Sequence, residues 1–309
     1  MESVRIFAPA TVANVSCGFD VLGFAVNQPG DEIILQKTHT QDVTIEAITG
    51  DGGKLPRAAE KNTATVAIQQ FLKHLGSQQG FSLTLHKKMP LGSGMGSSAA
   101  SAVAGVFAAN QLLGSPLSIP ELLPFAMEGE RIACGAAHAD NVAPSLYGGL
   151  VLVRSYQPLD VISIQTPKDL YCTLIHPKIQ IRTADARAIL KRQIPLGKAI
   201  QQWGNLAGLV AGFLQEDYDL IARSMKDVIA EPVRSILIPG FDKVQAAALN
   251  QGALGFSISG SGPSMFALSR GQEIAKKSGE AMQRALATLH INSEVFVSPI
   301  NQQGPILLD

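Results

Sequence analysis

Apolar and polar positions alternate in some stretches of this chain and follow a helical period in others. Alternation or a short apolar run predicts strands at residues 4–8, 42–46, 81–86, 149–153, 161–164, 171–175, 255–258, 265–268 and 294–297. Helical periodicity or a run of small residues predicts helices near residues 62–75, 97–113, 119–133, 183–192, 203–215, 217–230, 242–251 and 271–288. Because strands and helices interleave without a strict β-α-β repeat, the pattern predicts an α+β fold.

Turn and cap signals mark the ends of several elements. Residues 27–30 read N-Q-P-G, which is typical of a turn. Gly114 and Pro116 stop one predicted helix, and Ser118 with Glu121 forms the capping box of the next.

Length and composition indicate a globular chain with a large core. At 309 residues the chain exceeds the usual size of one domain, so we expect two, at residues 1–160 and 161–309. Hydrophobic residues make up 46% of the chain and charged residues 16%. The 25 basic and 25 acidic residues balance, which argues against a nucleic-acid partner.

Cysteine usage and the N-terminal sequence favour a soluble, cytoplasmic protein. Three cysteines without a C-x-x-C pair indicate neither a disulfide framework nor a zinc site. The N-terminus enters a strand instead of an apolar signal sequence. Asn110 and Gln111 interrupt the most apolar helical stretch, residues 97–114, so we expect a buried helix and no membrane partner.

The most informative segment is residues 90–100, which read P-L-G-S-G-M-G-S-S-A-A. Its three alternate glycines remove the side chains that would keep a ligand away from the backbone. A predicted strand precedes the segment, and a predicted helix begins at Ser97 and Ser98. Because the N–H groups and the dipole of a helix N-terminus favour anions, we expect a phosphate-binding loop. One serine would cap the helix while the other offers its hydroxyl to a phosphate or a metal.

Other glycine motifs do not fit this segment. The P-loop pattern G-x-x-x-x-G-K-[ST] is absent, and Ser97 stands where the dinucleotide pattern G-x-G-x-x-G needs its third glycine. The nucleophile elbow G-x-S-x-G fails because Ala100 replaces its last glycine. An ordinary Gly/Ser turn is the alternative that stays open.

Polar residues elsewhere could supply the rest of a site. Asn14 and Asp20 lie in an apolar segment, where a carboxylate needs a partner or a cation, unless both simply bond their own backbone in a turn. Glu130 shares a helix face with Ala126 and Ala133, which suits a carboxylate that faces a cleft and holds Mg²⁺. A solvated helix charge is the alternative.

Two further groups have the chemistry to contact a substrate. The first consists of His138, Asp140 and Asn141. These three could equally be ordinary loop residues. In the C-terminal half, Arg187 and Arg234 carry the planar guanidinium that grips a carboxylate or phosphate, and the glycines of residues 257–264 could bring backbone N–H groups to an anion.

Three segments, in this order, resemble the three motifs of the GHMP kinase superfamily. They are residues 8–23, residues 90–100 with the signature P-x-G-x-G-x-G-S-S-A, and residues 255–264. The words A-N-V-S-C-G-F-D (13–20), H-A-D-N-V-A-P (138–144) and E-P-V-R (231–234) are similar to those of the branch that acts on L-homoserine. The resemblance spans nearly the whole chain.

This resemblance implies a fold and a reaction. The two-domain fold would pair a ribosomal-protein-like N-terminal domain with a ferredoxin-like C-terminal domain, and the active site would lie between them. The reaction would transfer the γ-phosphate of MgATP to the side-chain hydroxyl of L-homoserine, on the route to threonine. A homodimer is compatible with the resemblance.

The resemblance also assigns roles at matching positions. The loop that holds the triphosphate would be Pro90, Leu91, Gly92, Ser93, Gly94, Met95, Gly96, Ser97, Ser98, Ala99 and Ala100. Ser98 and Glu130 would hold Mg²⁺, and Asn62 would lie near the adenine. The residues around homoserine would be Asn14, Asp20, His138, Arg187 and Arg234. Asp20 suits the substrate ammonium, the arginines suit its carboxylate, and Thr183 would lie near the transferred phosphate.

The catalytic base is where the chain departs from its sister kinases. Those enzymes use an aspartate in an S-G-x-D-N segment, and residues 137–141 here read A-H-A-D-N, so Asp140 would occupy that position. The L-homoserine branch is described as having no true base, with Asn141 orienting the hydroxyl. Phosphoryl transfer tolerates this because its loose transition state gains mainly from positioning and charge neutralisation. We expect the mechanism without a base, with Asp140 as the alternative.

Three other functions stay open from the sequence. Another kinase of the superfamily would bind a substrate without an ammonium group, so Asp20 would matter less. A nicotinamide-dependent dehydrogenase would need the dinucleotide pattern G-x-G-x-x-G, which this chain does not match. A catalytically inactive nucleotide-binding module would have no chemical need for Ser98, Glu130 and the two arginines.

Overall fold

The protein folds around two β-sheets, in a computed structural model that describes residues 1–135 and 138–308. The strands are β1 (Ser3–Val15), β2 (Gly18–Thr38), β3 (Val43–Thr49), β4 (Gly80–His86), β5 (Leu150–Tyr156), β6 (Leu159–Ile164), β7 (Leu170–Pro177), β8 (Gly255–Ile258), β9 (Met265–Arg270), β10 (Ser293–Pro299) and β11 (Ile306–Leu308). The α-helices are α1 (Thr63–Leu75), α2 (Ser97–Leu112), α3 (Ile119–Cys134), α4 (Ala139–Tyr147), α5 (Thr183–Ala188), α6 (Leu196–Gln215), α7 (Tyr218–Ser224), α8 (Glu231–Arg234), α9 (Phe241–Leu249) and α10 (Gln272–Ala287). The α+β prediction is confirmed.

The first sheet has seven strands, in the order β11-β1-β2-β4-β3, with β5 paired to β2 and β6 paired to β5. Strands β3 and β4 run parallel, whereas β1 and β2 form a long antiparallel pair. The C-terminal strand β11 returns to this sheet by pairing with β1. The expected boundary at residue 160 falls within β6, and the division into two folding domains stays a prediction.

The second sheet has four antiparallel strands in the order β10-β7-β9-β8. If these four strands are numbered 1 to 4 along the chain, their order in the sheet is 4-1-3-2. This is the order of a split β-α-β-β-α-β unit, the ferredoxin-like topology that the family resemblance implied. Helices α9 and α10 pack on the sheet through apolar residues such as Phe241, Val244, Met282 and Leu286. A hydrophobic core of its own therefore stabilises the C-terminal half.

The small residues of α2 allow helices to approach closely above the first sheet. This helix is buried along most of its length and packs against α1 and α3. A Cβ on Gly105 would lie 2.7 Å from the carbonyl oxygen of Ala64, so glycine is required for this approach. In the part of the chain that the structure describes, no helix combines the length and the apolar character that crossing a membrane requires.

Most predicted elements are confirmed within a few residues, but the predicted turn at residues 27–30 is wrong. These residues lie inside β2, whose pairing with β1 is interrupted between Ala25 and Gly30, opposite the segment between Pro9 and Thr11. The backbone N–H of Gln28 instead donates to the hydroxyl of Ser298 at 3.1 Å. A partner in the second sheet thus keeps a turn-like sequence within a strand.

Two helix predictions also differ from the structure. The helix predicted at residues 217–230 ends at Ser224. Further along, the backbone N–H groups of Ile229, Ala230 and Glu231 donate to the Asp227 carboxylate instead of continuing the helix. The residues taken as a loop after α3 form α4, a short helix that contains Pro144. Short length and an internal proline remove the periodic signal that longer helices give.

A buried ion pair joins β2 to the end of β4 and to α2. The Asp31 carboxylate and the Lys87 ammonium are in contact, and neither side chain is more than 2% exposed. The Lys87 ammonium also donates to the Ser97 carbonyl oxygen and to the Ser101 hydroxyl, at 2.8 Å each. Asp31 accepts the Ser97 hydroxyl at 3.0 Å and the N–H of Lys88 at 2.8 Å. The pair therefore fixes both ends of the segment that carries the glycine loop.

Replacement of Lys87 tests this network. Lys87→Met leaves the Asp31 charge buried without its cation, so we expect a loss of about 3 to 5 kcal/mol in the free energy of unfolding. Lys88→Met is the matched control, because its side chain is half exposed and its pair with Glu32 should contribute only about 0 to 1 kcal/mol. Urea unfolding at pH 7 measures both. Equal losses for the two lysines would contradict the assignment, and Asp31→Asn combined with Lys87→Met should recover part of the loss.

Candidate active site

A cleft of about 660 Å³ lies between the glycine loop, the start of β2 and the turn after β8. Its walls come from both halves of the chain, since α3 and α4 face α5 and α8 across it. The volume is within the range of small-molecule sites, about 300 to 1,000 Å³. The position of the loop at this cleft is what a phosphate-binding role requires.

The three glycines of the loop have left-handed backbones, with φ between +66° and +80°. A Cβ on Gly92 would meet no described atom within 4 Å, so this position leaves room for a ligand. A Cβ on Gly94 would lie 2.4 Å from the carbonyl oxygen of Ser259, and one on Gly96 would lie 2.0 Å from the Thr11 hydroxyl. Gly94 and Gly96 are therefore needed for close packing, whereas Gly92 faces open space in which a ligand has room.

Hydrogen bonds join the loop to the two other motif segments. They run from Thr11 N to Met95 O (3.0 Å), from Gly260 N to Ala13 O (3.0 Å), from Ser264 N to Ser93 O (3.1 Å) and from the Ser259 hydroxyl to Gly94 O (2.7 Å). The three segments that the sequence identifies separately thus form one hydrogen-bonded unit.

The two serines at the start of α2 have different environments. The N-cap is Gly96, without a side-chain cap, so the prediction that a serine caps this helix is wrong. The reason is that Ser97 is buried and its hydroxyl donates to Asp31. Ser98 is half-buried and lines the cleft. Its hydroxyl is the one that can reach a ligand.

The chain where β1 meets β2 is held in an uncommon conformation. Asn14, Ser16 and Asp20 have φ of 56°, 49° and 58°, and left-handed non-glycine residues concentrate at functional sites. The Asn14 amide oxygen accepts the N–H of Asp20 at 2.8 Å, and its NH₂ donates to the carbonyl oxygen of Gly260 at 2.8 Å. These bonds hold Asp20 at the edge of the cleft.

Two arginines from the C-terminal half line the same cleft as Asp20, and Arg187 contacts it. Arg187 donates to both carboxylate oxygens of Asp20, at 2.9 and 3.1 Å, which confirms that Asp20 has a charged partner. Arg234 is only 4% exposed and donates to the carbonyl oxygens of Ala186 and Gly260, at 3.0 and 3.2 Å. Burial, followed by the charge of Arg187, lowers the pKa of Arg234. A buried guanidinium bonded to carbonyl groups favours an acidic ligand.

Two carboxyl groups face the cleft from α3 and α4. Glu130 is 5% exposed and Asp140 is 3% exposed, so the alternative of a solvated charge at Glu130 is wrong. Burial raises the pKa of Asp140 to about 7, and the negative charges of Asp20 and Glu130 contribute to the increase. A carboxyl group with this pKa can exchange a proton near neutral pH.

Asn141 lies between the glycine loop and the charged end of the cleft. Its amide oxygen accepts the Thr11 hydroxyl at 2.7 Å, which fixes the orientation of the amide. The same oxygen would lie 2.9 Å from a Cβ on Gly96. This side chain is therefore beside the loop on which a phosphate would rest.

The remaining predicted residues also line the cleft. Burial lowers the pKa of His138, which favours its neutral form at pH 7. The Thr183 hydroxyl lies 3.1 Å from that of Ser261. Asn62 caps α1 with its amide oxygen and donates its NH₂ to the carbonyl oxygen of Pro56 at 3.1 Å.

The structure thus brings together every residue predicted to contact the substrate, the metal or the adenine, and seven of the eleven loop residues. The four loop residues that do not line the cleft are Pro90, Met95, Ala99 and Ala100. The last three are buried in the core, so their side chains stabilise the loop from behind. Ala137, within the A-H-A-D-N segment, lies outside the described residues.

Several residues that line the cleft were not predicted. The sequence carries a signal for Lys87, because a lysine between an apolar strand and a glycine loop is placed to be buried near that loop. Leu55, Pro56 and Ile132 also line the cleft, and nothing in the local sequence marks these apolar residues as part of a site.

Comparisons with known proteins agree with this geometry. The family described as "GHMP kinases N terminal domain" matches residues 62–149, and "GHMP kinases C terminal" matches residues 209–288. The chain is 52% identical to the homoserine kinase of Chlorobium phaeobacteroides strain BS1, over 98% of this chain and 99% of that protein.

Solved structures agree as well. The crystal structure of homoserine kinase from Cytophaga hutchinsonii has a TM-score of 0.98 and 61% identity, covering 100% of this chain and 98% of that one. The mevalonate kinase of L. major, in complex with R-mevalonate, shares the fold with a TM-score of 0.72 at 18% identity, over 95% of each chain. The chain belongs to the GHMP kinases and, within them, to the homoserine kinase family. It is an ATP-dependent kinase, and the dehydrogenase alternative is wrong.

Substitution of the loop glycines tests their two roles. Gly92→Ala and Gly94→Ala both place a side chain at a left-handed position, which costs roughly 1 to 2 kcal/mol. Only Gly94→Ala adds a contact with the Ser259 carbonyl, so we expect it to lose clearly more stability than Gly92→Ala in thermal unfolding. The same stability for both variants would mean that the loop does not depend on packing against the turn after β8.

Proposed function

We propose that this protein transfers the γ-phosphate of ATP to the side-chain hydroxyl of L-homoserine, giving O-phospho-L-homoserine. The observation that carries the proposal is the meeting of Asp20, Arg187 and Arg234 at one end of a cleft whose other side is the glycine loop. An amino-acid substrate carries both an ammonium and a carboxylate, and this end of the cleft offers a partner for each. Its relatives named homoserine kinase support the same substrate.

The charges divide the substrate-binding end into two parts. Asp20 would bind the ammonium group, and Arg187 and Arg234 would bind the carboxylate, because a guanidinium matches a carboxylate in a bidentate geometry. Without a ligand, Arg187 and Asp20 satisfy each other. The substrate would therefore exchange one internal ion pair for two ion pairs of its own. Mevalonate-type substrates have no ammonium group and therefore could not replace Arg187 as the partner of Asp20.

The nucleotide would lie along the rest of the cleft. The N–H groups at the start of α2 and the open space at Gly92 would accept the triphosphate. The apolar side chains of Leu55, Pro56 and Ile132, which line the same cleft as Asn62, would contact the adenine.

The donor set near the loop fits Mg²⁺. Ser98 and Glu130 both bring oxygen atoms to the cleft, and Mg²⁺ in kinases is held by one or two protein oxygens together with substrate phosphates. When bound, the ion would neutralise charge on the β- and γ-phosphates. Glu130 would be the carboxylate that holds the ion, because it lines the cleft together with Ser98, whereas burial raises the pKa of Asp140 to about 7.

The catalytic step would rely on positioning. Asn141, fixed by Thr11 next to the loop, would orient the substrate hydroxyl toward the γ-phosphate. Thr183, which also lines the cleft, would lie near the transferred phosphate. The raised pKa gives Asp140 the chemistry of a base, and we propose that the reaction does not require it.

The substrate assignment is tested by ADP release from MgATP with L-homoserine, L-threonine, L-serine, mevalonate and shikimate. We expect selective turnover of L-homoserine. Mevalonate and shikimate have no ammonium group, and the hydroxyl of L-threonine and L-serine lies one carbon atom closer to the ammonium and carboxylate groups. Turnover of mevalonate or shikimate alone would support the assignment of the ATP site but contradict the roles proposed for Asp20 and the arginines. No turnover with any alcohol, with ATP binding intact, would leave an inactive nucleotide-binding protein.

The roles of the two carboxyl groups are tested by Asp140→Asn and Glu130→Ala. We expect Asp140→Asn to retain substantial turnover, with the pH dependence of kcat unchanged near pH 7, whereas Glu130→Ala loses Mg²⁺-dependent activity. If Asp140 were the base, wild-type kcat would fall as the pH drops through about 7, since protonation removes the acceptor. Complete loss of turnover in a folded, ATP-binding Asp140→Asn would overturn the mechanism without a base.

A further inference from the structure

Phe19 lies directly behind the two arginines of the substrate-binding end. The Arg234 guanidinium is 4.8 Å from the centre of the Phe19 ring, and the Arg187 guanidinium is 5.8 Å from it. Both distances are within the range of a cation–π contact. Phe19 is half-buried at the start of β2, and it is not among the described residues that line the cleft. One aromatic ring thus contacts both cations without facing the ligand.

Two adjacent guanidinium groups need something to hold them together. Each guanidinium group raises the electrostatic energy of the other at that position, because like charges repel. Arg234 is anchored by the carbonyl oxygens of Ala186 and Gly260, but Arg187 is anchored by Asp20. A substrate ammonium that binds Asp20 would weaken that anchor at the moment when Arg187 must hold the carboxylate.

We propose that Phe19 is a positioning residue for the substrate carboxylate: its ring holds Arg187 and Arg234 side by side while Asp20 turns to the ammonium. This inference rests on the proposed function, since it assumes an amino-acid substrate. The negative face of the ring attracts both cations and is independent of Asp20. The contact favours substrates with a carboxylate and contributes nothing to the recognition of the ammonium or of ATP.

The test compares Phe19→Leu, which removes the ring, with Phe19→Tyr, which keeps it. Phe107→Leu is the matched control, a half-buried phenylalanine on α2 that packs on the core away from the cleft. The measurements are KM for L-homoserine, KM for ATP and kcat. They are accompanied by inhibition constants for 4-hydroxybutyrate, which has the carboxylate without the ammonium, and for 3-amino-1-propanol, which has the ammonium without the carboxylate.

We expect Phe19→Leu to raise KM for L-homoserine and the inhibition constant of 4-hydroxybutyrate about tenfold, the factor that corresponds to about 1.4 kcal/mol. KM for ATP and the inhibition constant of 3-amino-1-propanol should not change. Phe19→Tyr should recover most of the affinity, and Phe107→Leu should show no effect.

Equal losses for the two analogues, a rise in KM for ATP, or no recovery with tyrosine would overturn the proposal and leave Phe19 as a packing residue. If Phe19→Leu does not fold, Phe19→Met provides the same comparison with a side chain of more similar volume. The wild-type protein separates this outcome from a failure of the proposed function. If wild type does not phosphorylate L-homoserine, the substrate assignment is wrong, whatever the Phe19 variants do.

Discussion

The buried ion pair between Asp31 and Lys87 is the constraint on which the site depends. Ion pairs with almost no solvent exposure are stable only when further hydrogen bonds satisfy both groups. Here Ser97, Ser101 and the backbone after β4 supply those bonds. The energetic need to satisfy two buried charges therefore fixes the start of α2 relative to the first sheet. A phosphate-binding loop needs this rigidity, because its N–H groups must keep their direction when the ligand is absent.

From this anchor the loop extends to the second half of the molecule. Gly94 packs against the turn after β8, and the Ser259 hydroxyl and Gly260 N–H complete the junction. The cleft is consequently built by contacts between distant segments of the chain. The placement of Arg187 and Arg234 opposite Asp20 follows from the same junction, because Gly260 also bonds to Asn14 and Arg234.

Burial strongly affects the charged groups of the cleft. Burial is the main cause of the raised pKa of Asp140, and the negative charges of Asp20 and Glu130 increase it further. Basic groups are concentrated at the opposite wall, where Arg234 is buried with carbonyl partners. The ion pair between Asp20 and Arg187 partly neutralises the charges at this end of the cleft.

The sequence alone determined most of the helix and strand order and the glycine loop, because these depend on local periodicity and on a motif of adjacent residues. It also indicated the helix face on which Glu130 lies. It missed α4 and the C-terminal strand β11. Only the tertiary structure decided that residues 27–30 lie within a strand and that Ser97 bonds to Asp31 instead of capping α2. It also decided that Lys87 lines the cleft and that Phe19 contacts both arginines. These features depend on partners far away in the chain, and the local pattern of a sequence does not identify such partners.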